Sequence, residues 1–150
     1  MNISENKKRI LGVDLGDKRT GTAITDLTGT LASGLKLIEA TGLKKCAENI
    51  LQLCGEYDIC EVVLGYPLNM NGTRGESAIK TEKFKEILER LAGENGRELK
   101  IILFDERLST SLAHVYMNET GAKNRREKID MLSASIILQN YIDSRNHAGT

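Results

Sequence analysis

An α/β domain built on one five-stranded mixed sheet, with three antiparallel strands followed by two parallel ones and helices on both faces, is the fold this sequence predicts. Three observations carry that reading. Extended stretches at Arg9–Asp14, 20–26 and 30–38 follow one another with connections too short for a helix, which makes an antiparallel meander. Short apolar runs at 62–64 and 101–104 then alternate with amphipathic helical stretches, the pattern of right-handed crossovers between parallel strands. Finally, 150 residues with 40% hydrophobic content suit a single domain with a real core.

Each element has its own signal. Residues 9–14 begin with Arg9-Ile10-Leu11 and read as a buried strand. Residues 20–26 alternate small and polar side chains and close on a Thr28-Gly29 turn, after which 30–38 form the third strand. Leu43, Cys46, Ala47, Ile50, Leu51 and Cys54 recur at helical spacing, with Gly55 as the expected stop. Cys60 opens the next apolar run, which Gly65-Tyr66-Pro67 closes. Residues 68–75 are polar and glycine-bearing, an exposed loop. The second helix carries Phe84, Ile87, Leu88 and Leu91 and ends within 93–96. Residues 101–104 run directly into Asp105-Glu106-Arg107. Ser109 then caps a helix bearing Leu112, Ala113, Tyr116 and Met117 and stopping at Gly121. A last helix places Ile129, Leu132, Ile136 and Tyr141 on one stripe. The whole of 1–150 is one domain, with 1–8 and 144–150 expected as flexible tails.

Composition excludes several function classes. No apolar run is long enough to span a bilayer, and the first residues lack a signal-peptide core, so a cytoplasmic protein is expected. Cys46, Cys54 and Cys60 form no CxxC and have no histidine nearby, which fits small buried hydrophobes better than a zinc site. The formal net charge is zero, against a protein that coats nucleic acid by charge alone. Basic residues are nevertheless clustered at Lys18-Arg19 and at Lys123, Arg125, Arg126 and Lys128. Alone, such clusters are solvated surface.

Chemistry enters with Asp14. An aspartate is a poor strand former, and a carboxylate at a strand position facing the core is costly unless compensated. Gly12 and Gly16 flank it, and Lys18 and Arg19 follow. In sheets of this kind, sites lie at the carboxyl ends of the strands, which places Asp14 near the Asp105-Glu106 pair. Consecutive residues of an extended chain point to opposite faces, so one acid of that pair joins Asp14. Asp130 stands near a helix start, where the dipole favours a carboxylate, yet it also borders the apolar stripe. Acids brought together repel unless cations intervene, and hard divalent cations suit them. Two such ions can clamp the attacking and leaving oxygens of a phosphodiester. No serine or cysteine nucleophile pairing is visible, and neither His114 nor His147 is placed as a general base.

Four stretches now match a known family in order. They are residues 12–21, GVDLGDKRTG; 63–68, VLGYPL, with Asn71-Gly72; 105–110, DERLST; and 128–134, KIDMLSA. On these the chain resembles the YqgF family, also called RuvX, of Holliday junction resolvases with a ribonuclease H-like fold. Departures are small: Ser109 stands where threonine is more usual, and Thr20 where an aliphatic residue is common. The resemblance implies that the family's three acids fall on Asp14, Glu106 and Asp130, which thereby selects Glu106 over Asp105. It implies that these hold Mg2+ or Mn2+, and that the activity is nucleolytic, either maturing the 5′ end of precursor small-subunit ribosomal RNA or resolving branched DNA as a dimer.

The remaining motif positions have subsidiary expectations. Lys18 and Arg19 are placed to meet a phosphate backbone or to form a solvated hairpin tip. Asn71 and Arg74 sit in the exposed loop, where nucleic acid could be contacted. Arg107 pairs with a neighbouring acid or with substrate. The chain has no tryptophan, and Tyr66 is the one aromatic in a site loop, so recognition by shape and backbone is expected rather than base stacking. The expected partner is structured RNA or branched DNA, met by a monomer or homodimer. Two rivals share the pattern. One is a nucleic-acid-binding module without catalysis. The other is an ATPase of the actin and hexokinase type, whose first phosphate loop resembles Asp14-Leu15-Gly16 followed by Thr20-Gly21.

Overall fold

The strands that carry the acids occupy the middle and one edge of the sheet. In a computed structural model that describes residues 9–108 and 125–148 (backbone alone at 108, 125–128, 130, 147 and 148), the elements are β1 (Arg9–Asp14), β2 (Arg19–Thr25), β3 (Ala32–Glu39), α1 (Leu43–Glu56), β4 (Ile59–Tyr66), α2 (Glu76–Glu94), β5 (Lys100–Asp105) and α3 (Arg125–Ala148). Sheet order is β3-β2-β1-β4-β5. The pairs β1–β2 and β2–β3 are antiparallel, whereas β1–β4 and β4–β5 are parallel. The expected mixed sheet is therefore present.

Alternation along the strands sorts side chains into two cores. Leu11 and Val13 of β1, Val62 and Leu64 of β4, and Ile101 of β5 meet Ala47, Ile50, Phe84 and Leu88 from α1 and α2. Ile10, Ala23, Val63 and Phe104 point the other way, onto Ala134, Ile137, Leu138 and Tyr141 of α3. Helices thus cover both faces. The parallel strands are buried on two sides, which explains their continuous apolar runs.

Boundaries differ from expectation where a side chain supplied what the pattern lacked. Strand β4 starts at Ile59 and includes Glu61, an acid that interrupts the apolar run. Glu61 is only 8% exposed because the Tyr141 hydroxyl donates to it and Arg145 pairs with it at 3.3 Å. Strand β3 begins at Ala32 rather than at 30, since Asp26 accepts bonds from Thr28 Oγ1 and the Thr30 and Leu31 amides and so holds 26–31 as a turn. Helix α1 runs past Gly55 to Glu56, whereas α2 ends at Glu94, within the expected 93–96. The reversals fall just beyond, at Asp58 and Gly96, both with positive φ. Helix α3 continues to Ala148, so the tail expected from 144 is instead helical, with Ser144 Oγ bonded to the Tyr141 carbonyl.

The helix expected from Ser109 to Gly121 and the tail at 1–8 lie outside the described residues. Cys46 and Cys54 are buried, as their helical spacing implied, and the three cysteines are unbridged. Burial pushes the Cys54 thiol up to about 11, so it stays protonated at neutral pH. Among the described residues, no helix is long and apolar enough to cross a membrane.

Candidate active site at the carboxyl edge of the sheet

Three adjacent parallel strands end at one edge, and their last residues build the site. Along β1, Ile10 and Gly12 face α3, so alternation puts Asp14 on that same face. Gly12 is where α3 presses closest: a methyl group there would lie 2.7 Å from Leu138 Cβ and 3.1 Å from the Ala134 carbonyl oxygen. The parallel register pairs Val13 with Leu64, and one step beyond stand Asp14 and Gly65. In turn Gly65 pairs with Phe104 of β5. After Asp105 the chain tightens into a 3₁₀ turn at Glu106–Leu108. That turn brings the Glu106 carboxyl back over Gly65, with Cδ 3.1 Å from where a Cβ would stand. Asp14 and Glu106 consequently flank Gly65 on one face of the sheet.

Asp105 goes elsewhere. Its carboxylate receives bidentate bonds from Arg107, Nη2 to Oδ2 at 2.7 Å and Nε to Oδ1 at 3.1 Å, and a third from the Arg107 amide at 2.9 Å. The Arg107 hydrogen bonds hold Asp105 below the ordinary carboxylate range. Glu106 moves the opposite way. Burial raises its pKa, the Asp105 charge adds to the rise, and no cation among the described residues pulls it back. Such a carboxyl is suited to a divalent cation, which would supply the missing positive charge.

The loop after β4 is fastened on both sides. Glu82 of α2 accepts from the Tyr66 hydroxyl and, bidentately, from Arg74 at 2.7 and 2.8 Å. Asn71 Oδ1 accepts from Thr73, closing the loop tip. Arg107 Nη1 reaches the Met70 carbonyl at 3.3 Å, tying the tip to the end of β5. Of the residues expected to contact nucleic acid, Arg74 and Arg107 are thus already paired with acids. Lys18 is exposed in the β1–β2 turn and Arg19 half-buried at the start of β2. Lys80 of α2 pins this turn, bonding Asp17 Oδ1 at 2.6 Å and the Gly16 carbonyl at 3.3 Å.

Helix α3 contributes position 130. Asp130 lies in its early turns, four residues before Ala134, the residue that meets Gly12. The side chains of Asp130, Arg125, Arg126 and Lys128, and the whole of Lys123, lie outside the described residues. Among the described residues no three acids, histidines or cysteines converge on a metal-sized cluster. The sequence reading missed Lys80 and Glu82 as loop fasteners, since neither belongs to a motif and only the packing of α2 brings them to the edge. Gly65 was inside a quoted motif, but its contact with Glu106 needs the strand register to be seen.

Comparison with known proteins bears on all of this. The family model described as RuvX, Holliday junction resolvase, matches residues 8–144. A protein of Ruminiclostridium cellulolyticum named "Putative pre-16S rRNA nuclease" is 43% identical over 138 residues, covering 90% of this chain and 94% of its own. One of the same name from Thermoanaerobacter pseudethanolicus is 42% identical over 142 residues, covering 93% and 99%. Among solved structures, Thermus thermophilus RuvC in complex with Holliday junction substrate superposes with a TM-score of 0.58 at 12% identity, over 93% of this chain and 96% of that one. The yeast mitochondrial Holliday junction resolvase gives 0.56 at 12% identity, over 95% and 80%. At such identities the structures speak for the fold alone, which is ribonuclease H-like.

Proposed function

This chain belongs to the RuvX family, and from that premise we propose that it is a divalent-metal-dependent endonuclease acting on structured RNA, at the 5′ end of precursor small-subunit ribosomal RNA. The observation that supports the reading is the pair Asp14 and Glu106 flanking Gly65 at the carboxyl edge, the two strand-end acids that the sequence resemblance implies for the nuclease site. Asp14 and Glu106 would hold Mg2+ or Mn2+, with Asp130 of α3 completing the set. The donor chemistry fits, because hard oxygen ligands from few carboxylates leave room for water and phosphate. When bound, the ion supplies charge neutralisation at the scissile phosphate and acidifies the attacking water. The protein's own part is placement. Gly12 lets α3 settle on β1, the 3₁₀ turn aims Glu106, and the fastened loops present a fixed rim to the backbone of the substrate. Lys18 and Arg19 would meet phosphates there, as would Asn71 and the basic start of α3 with Lys123, Arg125, Arg126 and Lys128.

Cleavage of a precursor 16S RNA with Mg2+ or Mn2+, comparing the wild type with Asp14→Asn, tests the reading. Activity in the wild type and its loss in the variant is the expected result. Equal cleavage by both overturns it. A second reading follows from the family's description as Holliday junction resolvases. Symmetric incision of a four-way DNA junction needs two active sites and hence a dimer. A strict monomer in solution that leaves synthetic junctions intact removes that second reading.

A further inference from the structure

Glu106 and Asp14 leave strands that are not neighbours. β4 lies between β1 and β5, which sets the two backbones about 9–10 Å apart. To approach Asp14, the Glu106 side chain has to lean across β4, and the residue it crosses is Gly65. A Cβ on Gly65 would stand 3.1 Å from Glu106 Cδ and 3.2 Å from Cγ, tighter than ordinary van der Waals contact. It would also stand 2.7 Å from Ile137 Cδ1 of α3. Ile137 is 2% exposed and packed into the core beneath α3, whereas Glu106 is half-buried at the mouth of the site. Close-packed cores resist displacement more than side chains at a surface do.

We propose that Gly65 is a positioning residue for the nuclease site: its absent side chain is the passage through which Glu106 crosses β4 to stand beside Asp14. The proposal rests on Glu106 being a ligand of the divalent cation, as argued above. A methyl group at 65 has two obstacles, and they have separable consequences. Against Ile137 it lifts α3 and lowers stability. Against Glu106 it displaces a carboxylate and weakens the hold on the cation. A glycine kept only to let the helix pack would show the first effect alone.

The test uses the full chain in an Ile137→Val background, which removes Cδ1 and with it the first obstacle. Mn2+ affinity is measured by titration calorimetry, thermal midpoint by melting, and cleavage on the precursor RNA. With Gly65→Ala added, the midpoint is expected to stay near that of Ile137→Val, while Mn2+ affinity falls by about 10–100-fold, the range typical of residues that orient a ligand. Glu106→Ala removes both clashing carbons, so Gly65→Ala added to Glu106→Ala is expected to lose almost nothing more. Non-additivity of that kind marks direct coupling. Wild-type Mn2+ affinity in Gly65→Ala/Ile137→Val overturns the proposal, as does strict additivity with Glu106→Ala. Failure of the relieved variant to fold assigns the glycine to packing alone and overturns it equally. Glu106→Gln separates this from the underlying reading. Unchanged Mn2+ binding and cleavage in Glu106→Gln defeats the ligand assignment itself, whereas loss in Glu106→Gln beside normal behaviour in Gly65→Ala/Ile137→Val defeats the positioning role only.

Discussion

The guanidinium of Arg107 grips the carboxylate of Asp105 at 2.7 Å, while Glu106, between them in the chain, turns to the other face of the sheet. Strand alternation sends the two acids to opposite faces, and the ion pair holds Asp105 on its own face. The pair is partly exposed, so its own contribution to stability is small. Its effect on geometry is larger. Arg107→Ala is expected to leave the melting temperature within a few degrees of wild type yet lower kcat, because the 3₁₀ turn and the Met70 carbonyl lose their tie. Steady-state cleavage and thermal melts of the same preparation check both halves.

Glu106 carries a pH signature. Its pKa in the fold lies above the unfolded value, through burial first and the Asp105 charge second. The folded protein keeps that proton to higher pH than the unfolded chain. The associated stability is complete below the unfolded pKa and is lost as pH rises through the folded one. Glu106→Gln cannot ionise and escapes the loss. In chelator, the variant is expected to match wild type near pH 4 and to melt higher at pH 7 and above. Saturating Mn2+ should reverse that order at neutral pH, by stabilising the wild type alone.

Gly12 allows a test of how α3 is seated. Gly12→Ala brings a methyl within 2.7 Å of Leu138 Cβ, a collision with the root of a buried side chain. A loss of about 1–3 kcal/mol in urea denaturation is expected, the usual cost of overpacking. Cleavage should fall with it, since α3 carries position 130.

Salt dependence distinguishes free cations from paired ones. Lys18 is exposed, whereas Arg74 is already bound bidentately to Glu82. Lys18→Ala is expected to reduce the slope of log affinity against log salt by about 1, as loss of one phosphate contact does. Arg74→Ala should leave the slope alone and loosen the loop instead. Fluorescence anisotropy on a labelled RNA across a salt series reads both.

At the opposite edge, Tyr141 donates to buried Glu61, and burial with that acceptor pushes the tyrosine up to about 12. Tyr141→Phe removes a partner from a nearly buried carboxylate. A stability loss of about 1–3 kcal/mol is expected in denaturant titration, with cleavage per folded molecule unchanged.

Much of this architecture was legible in the residues. Periodicity located every described strand and helix, and short connections against long ones gave the antiparallel and parallel halves. The misjudged edges have a common cause, namely local compensation by distant side chains. Glu61 looked like an interruption until Tyr141 and Arg145 supplied its partners from residues some 80 positions later in the chain. Gly55 looked like a stop, but a helix ends where its backbone turns, and Asp58 makes that turn. At the site, Asp14 announced itself by its cost in a strand. Spacing left Asp105 and Glu106 equivalent and the family resemblance selected Glu106; the structure adds the pairing of Asp105 with Arg107.

Helix α2 reaches the carboxyl edge with two fasteners of opposite sign, two residues apart. Lys80 holds the turn after β1, and Glu82 holds the loop after β4. Both segments are therefore tied to the same helix. On the proposed function, a substrate arriving at this edge meets a rim tied to one helix rather than two separate fingers, and it is selected by its fit to that relief. Flexible strands would yield to it, whereas a folded RNA already holds a contour of its own.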